Sequence, residues 1–128
     1  MSLNRLFPDP AGPFATDDDR TWDAVAGMYA PLSSSIVRIN MIGSLNGSAV
    51  GADGKSETLS NRVDRRILGI IRAAADVVVV GASTLRREGS LGPVPGRLAI
   101  VSLSGDLTGH RLEASARPPI ILCPPSAR

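Results

Sequence analysis

Residues 77–84 read Val77-Val78-Val79-Val80-Gly81-Ala82-Ser83-Thr84, an apolar run that passes through a glycine into small polar residues. Four consecutive β-branched residues are typical of a buried strand. A glycine at the end of such a strand lets the chain turn tightly, and the free N–H groups of the next helix then point at any anion that lies there. The run therefore predicts a strand and a helix joined by a phosphate-sized turn.

The residues before this run predict the rest of a strand, helix, strand unit. Residues 36–42 have the β-branched content of a strand, and Ser60 or Asn61 can cap the helix that follows. Apolar positions recur in that helix at three- and four-residue spacing, at Val63, Ile67, Ile70, Ile71 and Ala74. Four basic residues are expected on its outward face: Arg62, Arg65, Arg66 and Arg72. This helix is the predicted crossover to the strand at residues 77–80.

Two more strands are predicted downstream, at residues 98–101 and 120–123, after a glycine- and proline-rich loop over residues 88–96. Only 3% of the 128 residues are aromatic while 43% are hydrophobic, so the core must consist of Val, Ile, Leu and Ala. Such a core suits parallel strands covered by helices. We therefore expect an α/β fold with a mainly parallel sheet over residues 36–128. Residues 1–35 are expected to form an irregular lead-in arm, broken by prolines, with one short helix from about Arg20 to Tyr29.

Charge and cysteine content argue against several classes of partner. The net charge is only +2, and basic residues alternate with acidic ones, as at Arg62, Asp64, Arg65 and Arg66, so no clustered nucleic-acid-binding face is expected. Cys123 is the single cysteine, which excludes an intrachain disulfide, does not support a zinc cluster and fits a reducing cytoplasm. No apolar run is long enough to span a bilayer. We expect a soluble, cytoplasmic protein without a nucleic-acid, membrane or metal partner.

Three segments together carry a resemblance to a known family. They are Asn40-Met41-Ile42-Gly43-Ser44-Leu45-Asn46-Gly47, the whole of residues 75–89, and Leu98-Ala99-Ile100-Val101-Ser102. In order and spacing they resemble the pyrimidine reductases of riboflavin biosynthesis, including the C-terminal domain of the bacterial bifunctional deaminase-reductases. The resemblance implies a dihydrofolate-reductase-like three-layer fold and NADPH as cofactor.

The family pattern implies a set of NADPH-binding residues: Gly43, Gly81, Ala82, Thr84, Arg86 and Ser102. Gly81 and Thr84 resemble positions that meet the dinucleotide phosphates at a helix N-terminus, although a turn glycine and a capping threonine would look the same. Arg86 could complement the 2'-phosphate of NADPH or be solvated. Ser102 matches the region near the adenosine ribose, and a loop serine that caps a turn is the alternative.

A second set is implied to bind substrate: Asn40, Ser44, Asn46, Ser56, Ser60 and Glu88. Asn40 can hydrogen-bond a pyrimidine edge. Asn46 replaces an aspartate of the family, so it can cap or bridge its loop but brings no charge there. For Ser56, Ser60 and Glu88 the alternatives are a loop serine, a helix N-cap and an exposed glutamate.

The implied reaction is hydride transfer from NADPH to a pyrimidine of the 5-amino-6-(5-phosphoribosylamino)uracil type. The cofactor supplies the chemistry, so no catalytic residue is named. Two alternatives remain: reduction of a pteridine such as dihydrofolate, and a truncated, non-catalytic nucleotide-binding or assembly module.

Family reductase domains are longer than this chain, which matches their N-terminal half. The chain is therefore expected to be truncated or proteolysed, or to associate as a homo-oligomer (a dimer) or with a complementing second half, because a half-sheet leaves strand edges and an apolar face uncovered.

Overall fold

The computed structural model of the chain describes residues 1–30, 35–88, 91, 94–110, 112 and 117–127. The protein is mixed α/β, with a two-stranded antiparallel sheet and a three-stranded parallel sheet. The chain divides into two compact units, Met1–Val37 and Arg38–Arg128. Among the described residues, no helix combines the length and the apolar character that a membrane crossing requires.

The first unit begins with a β-hairpin. Strand β1 (Ser2–Arg5) pairs antiparallel with β2 (Ala11–Ala15), and the register shifts between Leu3 and Arg5. The expectation of an irregular arm was wrong over these residues. Short strands with prolines and glycines between them have a weak sequence signature, because pairing rather than residue preference stabilises them.

The predicted short helix of this unit is confirmed as α1 (Asp19–Met28). Asp18 caps it, since its side chain accepts a hydrogen bond from the Arg20 N–H at 2.9 Å. Trp22 is buried, and its indole N–H donates to the Thr16 carbonyl at 3.2 Å. The helix is therefore anchored by an apolar ring whose polar atom is also satisfied.

The second unit is built on the parallel sheet. Its strands are β3 (Val77–Gly81), β4 (Arg97–Val101) and β5 (Ile120–Leu122), in the order β3-β4-β5. All three predicted strands are confirmed to within one residue at each end. The loop predicted between β3 and β4 lies partly outside the described residues, at positions 89, 90, 92 and 93.

Two helices accompany the sheet, α2 (Arg62–Ala73) and α3 (Ala82–Glu88). Asn61, one of the two predicted caps, starts α2: its side-chain oxygen accepts from the N–H groups of Val63 and Asp64 at 2.9 and 3.0 Å. No residue of α2 is fully buried, and its apolar positions are half-buried. Helix α3 follows β3 without an intervening loop.

The core lies between α3 and one face of the sheet. It consists of Ala82, Leu85 and Ile100, with partly buried side chains packed around them: Val80, Leu91, Leu98, Leu107 and Leu112. The strand register places Val77, Val79, Val101 and Leu122 together on the opposite face, and all four are exposed. Ala99 on the same face is buried and Ile120 is half-buried, so this largely apolar face is open only in part.

The strand predicted at residues 36–42 is absent, since these described residues form neither helix nor strand. Several of their large apolar side chains are exposed, including Ile39 and Met41. A strand needs a partner for its backbone N–H and C=O groups, and β-branched residues favour pairing without supplying that partner.

The core predicts a large difference between two aliphatic truncations. Leu85 is 1% exposed, so Leu85→Ala should cost about 2–5 kcal/mol of unfolding free energy through lost transfer energy and a residual cavity. Val79 is 60% exposed on the open face, and Val79→Ala should cost less than about 1 kcal/mol. Urea unfolding followed by circular dichroism measures both. Equal losses of unfolding free energy in the two variants would show that the packing of α3 against the sheet does not stabilise the core.

Candidate functional site

An open cleft of about 900 Å³ lies within the second unit. Its volume falls in the range of small-molecule sites. The cleft brings together five of the residues that the sequence predicted for cofactor or substrate: Asn40, Ser56, Ser60, Thr84 and Glu88. They come from segments up to 48 residues apart, so the fold has gathered them.

Helix α3 forms one wall of the cleft. Ser83, Thr84, Arg87 and Glu88 line it, whereas Leu85 points into the core. This division follows from the helical period, which places residues four positions apart on the same side, so that Ser83 lies above Arg87 and Thr84 above Glu88. The hydrophobic burial of α3 therefore fixes the direction of its polar side chains.

Gly81 leaves space beside Thr84. Its φ is not positive, and a Cβ built on it would meet only Thr84 Oγ1, at 3.9 Å. Thr84 is exposed, and Ala82 is buried and can offer only its backbone. There is therefore room for a side chain at Gly81, whose backbone conformation does not require glycine, and neither Gly81 nor Ala82 lines the cleft.

Ser56 and Glu88 contact each other directly. Oε1 of Glu88 accepts hydrogen bonds from the Ser56 N–H at 3.1 Å and from the Ser56 hydroxyl at 2.8 Å. A hydroxyl has one proton, so Ser56 Oγ can offer a ligand only its lone pairs. Glu88 is thus not merely an exposed loop glutamate, and the pair joins the end of α3 to the segment that leads into α2.

That segment is a compact loop over residues 51–60. The Gly51 N–H donates to the Lys55 carbonyl at 2.8 Å, and a Cβ on Gly51 would lie 2.5 Å from Thr58 Cβ, so glycine is needed for this contact. Asp53 accepts from the Thr58 hydroxyl and from the Lys55 N–H. These hydrogen bonds, that from Thr58 first, lower the pKa of Asp53 below its ordinary value.

Helix α2 forms the opposite wall, with Asp64, Arg65, Leu68, Gly69 and Arg72. The Ser60 hydroxyl donates to Asp64 Oδ2 at 2.7 Å, so Ser60 supports the first turn of α2 although Asn61 is its cap. Arg65 lies 3.9 Å from Glu57 in an exposed ion pair, which contributes little to stability.

The predicted position of Arg72 was wrong. It was expected on the outward face of α2, yet it is half-buried and lines the cleft. One guanidinium N–H donates to the Leu91 carbonyl, while the buried Nε has no hydrogen-bond partner among the described residues. Burial lowers the pKa of Arg72 from its ordinary value, although an arginine stays charged at neutral pH.

A signal for Arg72 was present in the sequence. It follows Leu68 by four residues and Asp64 by eight, and both of these line the cleft, so one helical stripe contains all three. The stripe could not be recognised as a site because the other wall of the cleft comes from distant segments. A buried N–H that lacks a partner is costly, so the position of Arg72 is unfavourable to stability by itself.

Ser44 and Asn46 lie in a turn of their own and do not line the cleft. The Ser44 N–H donates to the Ser48 carbonyl at 2.9 Å, and Asn46 Oδ1 accepts from the Ser44 hydroxyl and the Ser48 N–H. Gly47 has φ +84°, a conformation that favours glycine. Asn46 therefore bridges its loop without a charge, as the sequence predicted. Gly43 precedes this turn and is exposed.

Arg86 and Ser102 converge on the Asp106 carbonyl, outside the cleft. Arg86 Nη1 donates to it at 3.3 Å and the Ser102 hydroxyl at 3.4 Å. Arg86 is exposed and available to a ligand, whereas Ser102 is buried and its N–H donates to the Leu122 carbonyl at 2.9 Å. Ser102 therefore stabilises the strand ends and does not face the solvent.

Comparison with family models and with curated proteins found no match to this chain. Within the described residues, no three His, Cys, Asp or Glu side chains are grouped so that they could hold a metal ion. The cleft is therefore characterised by its own geometry: two helical walls, a hydrogen-bonded loop and the half-buried Arg72.

The low pKa of Asp53 predicts how the 51–60 loop responds to acid. The carboxylate is hydrogen-bonded in the folded state, so its contribution is present above the ordinary aspartate pKa of about 3.9 and is lost as the pH falls through the lower folded value. The Lys55 amide resonance should titrate with a midpoint below about 3.9. In Thr58→Val the midpoint should rise toward the ordinary value, and an unchanged midpoint would exclude Thr58 as the main cause.

Proposed function

We propose that this chain is an NADPH-dependent reductase that acts on a pyrimidine of the 5-amino-6-(5-phosphoribosylamino)uracil type, with a dihydrofolate-reductase-like architecture. The observation that carries the proposal is the cleft itself, which gathers residues of the 40–47 and 75–89 motifs around one volume of about 900 Å³.

Arg72 is the proposed binding partner of the substrate phosphate. Arg72 lines the cleft, and its guanidinium N–H groups other than the one bonded to Leu91 suit a phosphate oxygen, because a planar fork of N–H donors matches that geometry. Arg65 and Arg87 line the same cleft, but three carboxylates line it too, so that the formal charges balance: Glu57, Asp64 and Glu88. The proposed preference for a phosphorylated ligand therefore rests on the position of Arg72 and not on a net positive charge.

The cofactor would lie over the β3–α3 turn. Gly81 leaves room for close approach, Thr84 offers an exposed hydroxyl, and Arg86 or Arg87 can bind the 2'-phosphate that distinguishes NADPH from NADH. NADPH supplies the hydride when bound. The chain binds and orients the two ligands: Asn40 offers both a donor and an acceptor to a pyrimidine edge, and Ser56 offers lone pairs to a sugar hydroxyl or an amine.

The open sheet face suits association. Val77, Val79, Val101 and Leu122 expose an apolar surface that a second copy, or a complementing segment, would remove from water. A sedimentation experiment at micromolar concentration should therefore give a species larger than a monomer.

A binding module without catalysis is the alternative that one observation favours. Ser102 is buried, so one predicted cofactor contact is missing from the surface.

Calorimetric titration with NADPH, followed by NADPH-oxidation assays with the aminopyrimidine and with dihydrofolate, distinguishes pyrimidine reduction, pteridine reduction and binding without catalysis. Oxidation with the aminopyrimidine supports the proposal, oxidation with dihydrofolate alone supports pteridine reduction, and binding without oxidation supports the module.

Thr84→Val should weaken NADPH binding. The change keeps the shape of the side chain and removes the hydroxyl, and loss of one hydrogen bond to a phosphate should cost about 1–3 kcal/mol. Thr16→Val is the matched control, because Thr16 lies in the first unit, outside the lining of the cleft, and its hydroxyl also donates one hydrogen bond, to the Met1 carbonyl at 2.8 Å. An unchanged Kd in Thr84→Val would remove Thr84 from the cofactor site.

Arg72→Met should separate phosphate binding from the rest of substrate binding. The KM for the phosphorylated pyrimidine should rise by about 10- to 100-fold, which corresponds to the loss of a charged hydrogen bond. The KM for the dephosphorylated compound should hardly change. If both values rise equally, Arg72 supports the cleft structurally and does not bind the phosphate.

A further inference from the structure

We propose that Glu88 is a positioning residue that clamps the 51–60 loop to the end of α3, and that the cleft opens and closes as its two hydrogen bonds to Ser56 break and form. The inference rests on the function proposed above only for the identity of the ligand.

The two hydrogen bonds join parts of the chain that are 32 residues apart. A single carboxylate oxygen accepts both the backbone N–H and the hydroxyl of Ser56, at 3.1 and 2.8 Å, in partly buried surroundings. Hydrogen bonds to a charged acceptor are stronger than neutral ones. Among the described residues, these are the hydrogen bonds that connect the 51–60 loop to α3.

The loop is built to move as one piece. Its own contacts, from Gly51 to Lys55 and from Asp53 to Thr58, do not depend on α3. The Ser56 carbonyl accepts from the Leu59 N–H at 3.0 Å, which leads the chain into the start of α2. Few of its residues are apolar, so little hydrophobic burial opposes its release from Glu88.

The position of the clamp determines what it controls. Ser56 and Glu88 both line the cleft, and Gly54, Glu57 and Ser60 of the same loop line it too. When the hydrogen bonds break, this part of the wall is free to leave α3. Glu88 therefore acts on a ligand through Ser56, by holding the wall in place.

Opening of the 51–60 loop can be measured by proteolysis at one position, because Lys55 is the single lysine of the chain. A lysine-specific endoproteinase can cut only the Lys55–Ser56 bond, next to the N–H that Glu88 holds. Cleavage of a folded protein requires local opening, and its rate tracks the open population when closing is fast. Each variant's rate is normalised to its rate in denaturant, where the loop is fully accessible.

Glu88→Ala should speed this cleavage by about 10- to 100-fold, the ratio that corresponds to loss of a charged hydrogen bond. Glu88→Gln keeps a carbonyl acceptor and should stay within about fivefold of the wild type. Asp76→Ala removes an exposed carboxylate at the far end of β3 and should leave the rate unchanged. Global stability is measured in parallel by urea unfolding.

Two results would overturn the clamp: equal cleavage rates for the wild type and Glu88→Ala, or an increase no larger than the change in global unfolding accounts for. A cleavage measurement with bound ligands distinguishes failure of the clamp from failure of the proposed function. Saturating NADPH together with the aminopyrimidine should slow the cleavage of the wild type. Absence of that protection would count against the proposed function, while the variant series in the unliganded protein decides the clamp.

Discussion

The burial of Leu85 against Ile100 is the contact on which the rest of the second unit depends. Leu85 is 1% exposed and Ile100 is not exposed at all, so together they hold α3 on the sheet. Helix α3 is seven residues long. Because side chains on one side of a helix point away from those on the other, burying Leu85 directs Thr84 and Glu88 into the cleft. The positions of Thr84 and Glu88 are consequences of this apolar contact, and the Ser56 pair in turn follows from Glu88.

The cleft contains a polar arrangement that costs stability. Arg72 is half-buried on α2, with one N–H bonded to the Leu91 carbonyl and Nε left without a partner among the described residues. A buried polar group in that state is unfavourable by itself. Most other polar groups of the cleft, such as Ser60 and Asp64, already satisfy one another.

Local sequence patterns predicted the regular elements wherever one residue type repeated over several positions. The valines of β3, the three-to-four spacing of α2 and its cap at Asn61 were all recognisable, because each depends on neighbours within a few residues. The β1–β2 hairpin was missed and a strand at residues 36–42 was wrongly expected. Both errors concern pairing, which depends on a partner that a single segment does not reveal.

Local residue preference was enough to predict α2 and the three strands of the parallel sheet in their order along the chain, although not the absence of a strand at residues 36–42. Which of the candidate polar residues meet depends on tertiary packing. It joined Ser56 to Glu88, turned Arg72 into the cleft, and buried Ser102 at the strand ends. The physical reason is that these contacts span tens of residues, and packing of the apolar core chooses among the many arrangements that local preference allows.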